Sequence, residues 1–393
     1  MAKSVQALVK PELLVWARKS AGLTIQQAAR KAEVTDEQIA GWENGTSRPT
    51  ISQLRKLAAA CKRPLAVFYL PSPPAGADVL HDFRRLPGGV PEQLSPQLIW
   101  EIRRARERRE AVLNLLEGLE ELPRFSLHAD LSEDSERLGS RIRGFLGIQR
   151  DVLARLPGKH DALDYWRSAL ERAGVLVFQA SGVPTSEMRG FSLSESPLPV
   201  IVVNSKDSPL GRIFSMAHEV VHVMLTEGGL CDLGETERPP EESTKEVFCN
   251  RTAGAALLPA DDLLQEPLVI QKTRGARWSD AELDQIARRY RVSREVVLRR
   301  LLIHNRITRE FYAEKNEELR AIYSGVSREE SGPVPPYRRA LSSVGAFFTS
   351  VVLDSYHRER ITASDVSDLL GIRLKHLGRL EEALLRKSVG RAS

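Results

Sequence analysis

Cysteine is scarce in this sequence. The 393 residues contain only Cys61, Cys231 and Cys249, and no two of them form a C-x-x-C pair. A disulfide framework uses an even set of cysteines in an oxidising compartment, and a thiolate zinc site uses closely paired cysteines. The sequence argues against both and fits a reducing compartment.

Long apolar runs are also absent. No run approaches the roughly 18 residues that cross a membrane, and the chain does not open with a basic segment followed by an apolar one. We therefore expect a cytoplasmic protein without membrane contact. A hydrophobic content of 42% and a charged content of 28% are ordinary for soluble globular proteins. The length predicts two or three domains.

Histidine is sparse as well, yet two of the eight histidines stand close together. The segment R-I-F-S-M-A-H-E-V-V-H-V-M-L contains His218, Glu219 and His222 as an H-E-x-x-H motif on an apolar helix. Four helical residues turn through about 400°, so both imidazoles point from one face. They can supply two of the three protein ligands of a catalytic zinc ion, and Glu219 can accept a proton from water.

The alternative is a pair of ordinary core histidines. The neighbouring residues are mostly apolar, and unpaired ring nitrogens buried among them would be costly. The combination of this spacing with a glutamate between the histidines therefore favours a metal site.

A third ligand is expected downstream. The small and apolar run over 243–259 predicts a second buried helix, with Glu246 in its first turn and facing the metal. Ser243-x-x-Glu246 also matches a capping box, in which the carboxylate binds only the start of its own helix. Spacing alone does not decide between these roles, and rival ligands are available at Glu227, Cys231, Asp232 and Glu235.

The two segments A-H-E-V-V-H-V-M-L and E-V-F-C-N-R-T-A-G-A-A-L-L-P resemble the ImmA/IrrE family of zinc metallopeptidases, over about residues 161–259. The resemblance implies that Glu246 is the third ligand, which completes a gluzincin-like HExxH...E set around one catalytic Zn²⁺ with Glu219 as the base. Thr252 stands where the family often has Phe. The implied substrate is a protein, a transcriptional repressor of the Xre type, cut to derepress stress or mobile-element genes.

The basic charge of the chain lies near its start. Residues 1–70 contain eleven Lys or Arg and five Asp or Glu, a net charge of +6, whereas the whole chain carries +5. N-capping threonines and apolar spacing predict four short helices. These helices span Pro11–Ala21, Thr24–Ala32, Thr35–Glu43 and Thr50–Ala60. With the following W-E-N-G-x-x-x-P-T, the arrangement resembles the Xre/Cro-type helix-turn-helix over about residues 9–70, with Thr35–Trp42 as the recognition helix.

This resemblance implies that double-stranded DNA is a partner. The candidate contacts are Gln38, Arg30, Lys31 and Arg48. Acidic residues at the start of the recognition helix, Asp36 and Glu37, would repel phosphates. The alternative is a domain of the same fold that recognises protein.

We expect a mainly helical α+β protein. The predicted parts are a helix-turn-helix domain over 1–70, a Pro/Gly-rich linker over 71–94, a long connecting helix over 95–122, a zincin-like metallopeptidase core over 123–278, a helical extension over 279–330 and a C-terminal helical segment over 331–393. Three strands are predicted in the core, at 175–179, 188–193 and 200–204.

Three alternatives remain open. The charged run in the long helix indicates a solvated face, or else a helix that forms a homodimer. The extension over 279–330 is either a helical cap on the peptidase or a second helix-turn-helix-like element with Arg288, Arg289, Arg299 and Arg300 exposed. The whole chain could also be a non-catalytic DNA-binding transcriptional regulator switched by metal or a small ligand, or one component of a toxin–antitoxin or phage-defence pair.

Overall fold

A computed structural model describes most of the chain as two compact units, Met1–Arg106 and Glu107–Ser393. The described residues are 5–74, 94–117, 124–226, 230–231, 240–325 and 334–389. Most of the predicted linker over 71–94 lies outside them. The expected mainly helical α+β fold is confirmed, because many helices surround one small sheet.

The first unit begins with four short helices around a small apolar core. They are α1 (Pro11–Ser20), α2 (Ile25–Ala32), α3 (Asp36–Glu43) and α4 (Ile51–Ala60). A 3₁₀ helix (Leu65–Tyr69) follows. Thr24, Thr35 and Thr50 each cap a helix, and a glutamine three residues later completes the capping box. The four predicted helices are confirmed to within one residue at each end. The predicted long helix is α5 (Pro96–Leu115).

The second unit builds its sheet from four strands. They are β1 (Leu176–Ala180), β2 (Gly190–Leu193), β3 (Val200–Asn204) and β4 (Leu230–Cys231). The sheet order is β1-β3-β2-β4, with β1 parallel to β3 and the other two pairings antiparallel. The first three strands were predicted. The two-residue β4 was not, because it is too short to show an alternating pattern.

Helices cover this sheet and extend beyond it. The bounds are α6 (Ser135–Leu146), α7 (Arg150–Arg155), α8 (Lys159–Arg172), α9 (Pro209–Met224), α10 (Pro240–Leu257), α11 (Ala260–Leu264), α12 (Pro267–Gln271), α13 (Asp280–Tyr290), α14 (Arg294–Ile303) and α15 (Arg309–Gly325). α9 packs against β2, β3 and α10, and α10 packs against α6. The helix with the H-E-x-x-H motif therefore lies at the centre of the unit.

The predicted exposure of Arg300 is wrong. Its side chain is 1% exposed and donates to both oxygens of Glu136, at 2.5 and 2.7 Å, and to the backbone oxygen of Leu258 at 2.8 Å. Arg300 thereby joins α14 to α6 and to the end of α10. Because this residue anchors α14 inside the unit, the structure favours a helical cap over a second nucleic-acid-binding element.

The C-terminal segment packs on the sheet through α16 (Pro336–His357), which contacts β1 and α8. Gly345 interrupts α16 with φ 85° and ψ 169°. A buried ion pair on α8 fills the break: Arg167 donates to Glu171 at 3.1 Å and to the Ser342 oxygen at 2.5 Å, and Glu171 accepts from the Phe347 amide at 3.2 Å. The pair thus satisfies backbone groups that the interruption releases.

Two further helices, α17 (Ala363–Leu370) and α18 (Leu377–Val389), pack with α16, and a 3₁₀ helix (Leu374–His376) lies between them in sequence. Within the described parts of the chain, none of the helices is both long and apolar enough to cross a bilayer.

Candidate metal centre

α9 presents the two histidines of the motif on one face. Ser208 caps this helix by accepting from the Gly211 amide at 3.0 Å, and Pro209 occupies its first turn. The ring centroids of His218 and His222 lie 4.8 Å apart, and their Nε2 atoms approach to 3.0 Å. The four-residue spacing therefore brings both imidazoles to one point.

α10 brings Glu246 to the same point. Glu246 Oε2 lies 3.3 Å from His218 Nε2, and Glu246 Oε1 lies 3.4 Å from His222 Nε2. Among the residues that the structure describes, these three are the one group of His, Cys, Asp or Glu ligand atoms that could hold a metal ion, with the atoms within 4.8 Å of one another. The expected position of Glu246 needs one correction. Because α10 begins at Pro240, Glu246 lies in the second turn, and Ser243 is a helical residue rather than the N-cap that a capping box requires.

The electrostatics of the three groups suit a cation. Burial lowers the pKa of His218, which keeps the imidazole neutral. Burial alone would raise the pKa of the Glu246 carboxyl, but its close contacts with the ring nitrogens of His218 and His222 hold that pKa well below its usual range. A neutral imidazole and an ionised carboxylate are the forms that bind metal.

Asn250 on α10 orients the buried histidine. Its Oδ1 lies 3.0 Å from His218 Nδ1, and an amide oxygen can only accept, so Nδ1 carries the proton and donates. The lone pair of His218 Nε2 then points toward His222 and Glu246. One proton shared among these atoms can satisfy a single contact, whereas one cation satisfies all three. Two imidazole nitrogens and one carboxylate also match the ligand set of a catalytic zinc ion.

Glu219 lies beside the three ligand candidates and outside their contacts. Its side chain is fully buried, and burial raises its pKa to about 7. Ser192 Oγ on β2 donates to Glu219 Oε2 at 2.8 Å, while Oε1 has no hydrogen-bond partner among the described residues. A Cβ at Gly190 would lie 3.2 Å from that oxygen, so the β2 backbone also borders the carboxylate closely. The arrangement offers a carboxylate that can exchange a proton next to a cation site.

Sequence reasoning missed Ser192, Gly190 and Asn250. The first two were treated only as part of a strand, although small residues two positions apart on a buried strand indicate that something approaches that face closely. Asn250 lies one turn after Glu246, and that spacing was the available signal for its role.

The side chains of the four rival ligands lie outside the part of the chain that the structure describes. Glu227, Asp232 and Glu235 lie outside the described residues, as does the side chain of Cys231. Cys249 is buried, with its Sγ 4.0 Å from His222 Nδ1, and burial raises the pKa of its thiol. A protonated thiol behind His222 packs against the imidazole and is not a metal ligand in this arrangement.

The four candidate DNA contacts lie in the first unit. Arg30, Lys31, Gln38 and Arg48 all have exposed side chains. The Oε1 of Gln38 accepts from the Thr35 amide at 3.0 Å as part of the capping box. A bidentate contact from Gln38 to adenine needs this oxygen as well, so base reading would compete with the cap.

Comparison with known families finds one match in each unit of the chain. Residues 170–302 match the peptidase M78 family, described as the IrrE N-terminal-like domain. Residues 14–68 match a helix-turn-helix family. A search of the curated proteins gives no match. The first match contains α9 and α10 and continues through α13 and nearly all of α14, so only the first part of the helical extension lies within the matched region.

Proposed function

We propose that this chain, which joins an N-terminal Xre-type helix-turn-helix domain to an IrrE-like metallopeptidase domain, is a zinc-dependent endopeptidase of the gluzincin type. His218, His222 and Glu246 would hold one Zn²⁺, with Glu219 as the catalytic base. The observation that carries the proposal is the convergence of three ligand atoms from α9 and α10 beside a buried carboxylate that the ligand set does not use.

A bound zinc ion supplies the Lewis acidity that makes water nucleophilic near neutral pH and polarises a peptide carbonyl. Glu219 accepts the proton of the attacking water and passes it to the leaving amine. Ser192 holds the Glu219 carboxylate through one hydrogen bond, and Asn250 holds the His218 ring in the tautomer that leaves Nε2 unprotonated.

The substrate reaches the site from one side. His218 is fully buried, whereas the side chains of His222 and Glu246 are 13% and 17% exposed. Glu219 contacts β2, and β2 pairs with β4 at one end of the described sheet. An extended peptide can add to such an edge by backbone pairing. These features support a protein substrate. By family resemblance, we propose that it is an Xre-type repressor and that cleavage derepresses its target genes.

The peptidase proposal is tested by incubating the zinc-loaded chain with Xre-type repressors from its own genome. We expect one of them to be cut at a single site, and a chelator to abolish cleavage. Glu219→Gln should bind zinc with unchanged affinity and lower kcat by about 10²–10⁴-fold, the usual contribution of a general base. Glu317→Gln, an exposed residue on α15, is the matched control and should cleave normally. A fully active Glu219→Gln variant would remove the assigned base.

The same experiment distinguishes the proposed enzyme from a non-catalytic regulator. A regulator switched by metal would bind zinc and cut nothing, and Glu219→Gln would then leave its DNA affinity unchanged. The position of Glu219 supports the enzyme, because a site that is purely structural has no use for a carboxylate beside its ligands.

The N-terminal domain is proposed to bind double-stranded DNA. Arg30 and Lys31 end α2 with exposed cations, and Arg48 precedes α4. We expect an electrophoretic mobility shift at low salt, weakened by an Arg30→Gln/Lys31→Gln double variant and by added salt. Absence of any shift at low salt would leave protein recognition as the role of this domain.

A further inference from the structure

The second unit contains a cavity that is separate from the three ligand candidates. It has a volume of about 710 Å³, and its walls come from α8, β1 and α9 on one side and from α16 and α18 on the other. Pockets that enclose small organic ligands span about 300–1,000 Å³. The cavity is therefore large enough for a molecule the size of a nucleotide, and its C-terminal wall lies outside residues 170–302, which match the family model.

Arginines outnumber carboxylates in the lining. Four arginines border the cavity: Arg212, Arg338, Arg379 and Arg386. Two carboxylates accompany them, Asp164 and Glu382, and Glu382 lies 4.0 Å from Arg386. The lining thus carries two more guanidinium than carboxylate groups, and the planar guanidinium group is well suited to binding phosphate through two hydrogen bonds.

One of these arginines is held in place at the cavity wall. Arg212 is 8% exposed, and its Nη1 donates to Gln179 Oε1 at 2.6 Å, with Gln179 itself 7% exposed. A buried guanidinium that is already held in one position is preorganised, because little side-chain entropy remains to be lost on binding. Arg338 and Arg379 are exposed at the opposite wall. The cavity therefore has arginines on both walls.

The remaining lining suits a planar apolar group. The half-buried Tyr337 lines the cavity together with the buried Leu163 and Leu341. An aromatic ring next to aliphatic side chains provides a surface on which a nucleobase can stack. We propose that this cavity binds a phosphorylated small molecule of the nucleotide class, with its phosphates on the arginines and its base against Tyr337.

The cavity and the candidate metal centre share one helix. Arg212 precedes His218 by six residues on α9, which corresponds to about 9 Å along the axis. A ligand on Arg212 contacts the helix that carries both histidines without reaching the histidines themselves. The binding proposal does not depend on peptidase activity, because it can be tested on metal-free protein.

The test is isothermal titration of the full-length, chelator-treated chain with ADP, using adenosine and pyrophosphate as separate arms. We expect one ADP per chain, and at least tenfold weaker binding of both adenosine and pyrophosphate. An Arg338→Gln/Arg379→Gln double variant should bind ADP at least tenfold more weakly, since each lost charge-assisted hydrogen bond lowers the affinity by about tenfold or more. Both residues are exposed, so the variant should keep the wild-type circular dichroism spectrum and Tm.

Arg339→Gln is the matched control, because Arg339 is an exposed neighbour on α16 that does not line the cavity. It should bind ADP as the wild type does. The proposal is overturned if ADP does not bind at millimolar concentration, if the double variant binds ADP with unchanged affinity, or if Arg339→Gln weakens binding equally. Equal affinity for ADP and pyrophosphate would overturn the nucleotide class.

Discussion

Replacing Gly345 by alanine should destabilise the 107–393 unit. Gly345 has φ 85° and ψ 169°, a backbone conformation that is almost restricted to glycine. A Cβ at this position would lie 2.1 Å from Glu171 Oε1 and 2.7 Å from Arg167 Nη2. Both side chains belong to an ion pair that is 5% and 6% exposed, so neither can move into solvent without losing its partners.

Two costs add in this variant. The backbone conformation costs about 1–3 kcal/mol for a residue with a Cβ. Displacing the buried ion pair costs up to about 3–5 kcal/mol, because each charge would remain buried without its partner. A combined loss of about 4 kcal/mol should lower the Tm of the 107–393 unit by roughly 8 °C, at about 2 °C per kcal/mol for a unit of this size.

Differential scanning calorimetry can follow the transition of this unit separately from that of residues 1–106. Gly144→Ala is the matched control: Gly144 lies in α6, and nothing lies within 4 Å of an added Cβ. That change should leave the Tm unchanged or raise it slightly, since alanine favours a helix over glycine by up to about 1 kcal/mol. A Gly345→Ala variant as stable as the wild type would refute the proposed role of the ion pair.

Three further predictions concern single side chains. Asn250→Ala should weaken zinc binding about 10–100-fold by releasing the His218 ring, as measured by competition with a chromophoric chelator; unchanged affinity would contradict the orienting role. Ser192→Ala should lower kcat/KM for repressor cleavage about tenfold or more while the zinc affinity stays the same, because only the Glu219 carboxylate loses a hydrogen bond. A loss of zinc binding as well would indicate a purely structural role for Ser192. Thr35→Ala should lower the free energy of unfolding of the 1–106 unit by about 1 kcal/mol, which corresponds to a Tm lower by about 4–8 °C. An unchanged Tm would mean that the cap contributes nothing to stability.

Local signals in the sequence predicted much of the fold. The helix starts after Thr24, Thr35 and Thr50 depend on contacts between residues three positions apart, so they could be located to within a residue. The β3 strand was predicted with the observed bounds, Val200–Asn204, because it is a continuous apolar run closed by turn residues. The two-residue β4 exists only through its pairing with β2, and the sequence held no signal for it.

The candidate site was predictable only in part. His218 and His222 belong to one helix, and helical geometry relates them directly. Glu246 comes from another helix, so the residues alone left its role undecided and the family resemblance was needed. Ser243-x-x-Glu246 matched the pattern of a helix start, but α10 begins earlier, and Pro240 at its first position was the signal for that start. The metal-ligand and catalytic roles stay predictions until zinc binding and cleavage are measured.

The spacing of residues in α14 contained a signal that Arg300 is buried, and the prediction did not use it. It follows Val296 by four residues and Val297 by three, so it lies on the buried face of α14. Its charge led to the expectation of exposure, but the bidentate contact with Glu136 stabilises it inside the unit. Such a partner, more than 160 positions away in the chain, could not be found from the sequence of α14 alone.

The three consecutive capping boxes of the first unit also affect the order in which the two units fold during synthesis. Contacts between close neighbours form without closing a long loop, and chains dominated by such contacts acquire their native structure quickly. The second unit cannot finish folding until α16 has left the ribosome, since Glu171 accepts a hydrogen bond from a backbone amide 176 positions downstream. A nascent chain should therefore carry a complete helix-turn-helix domain well before its second unit is folded, so the first unit can act earlier than the second.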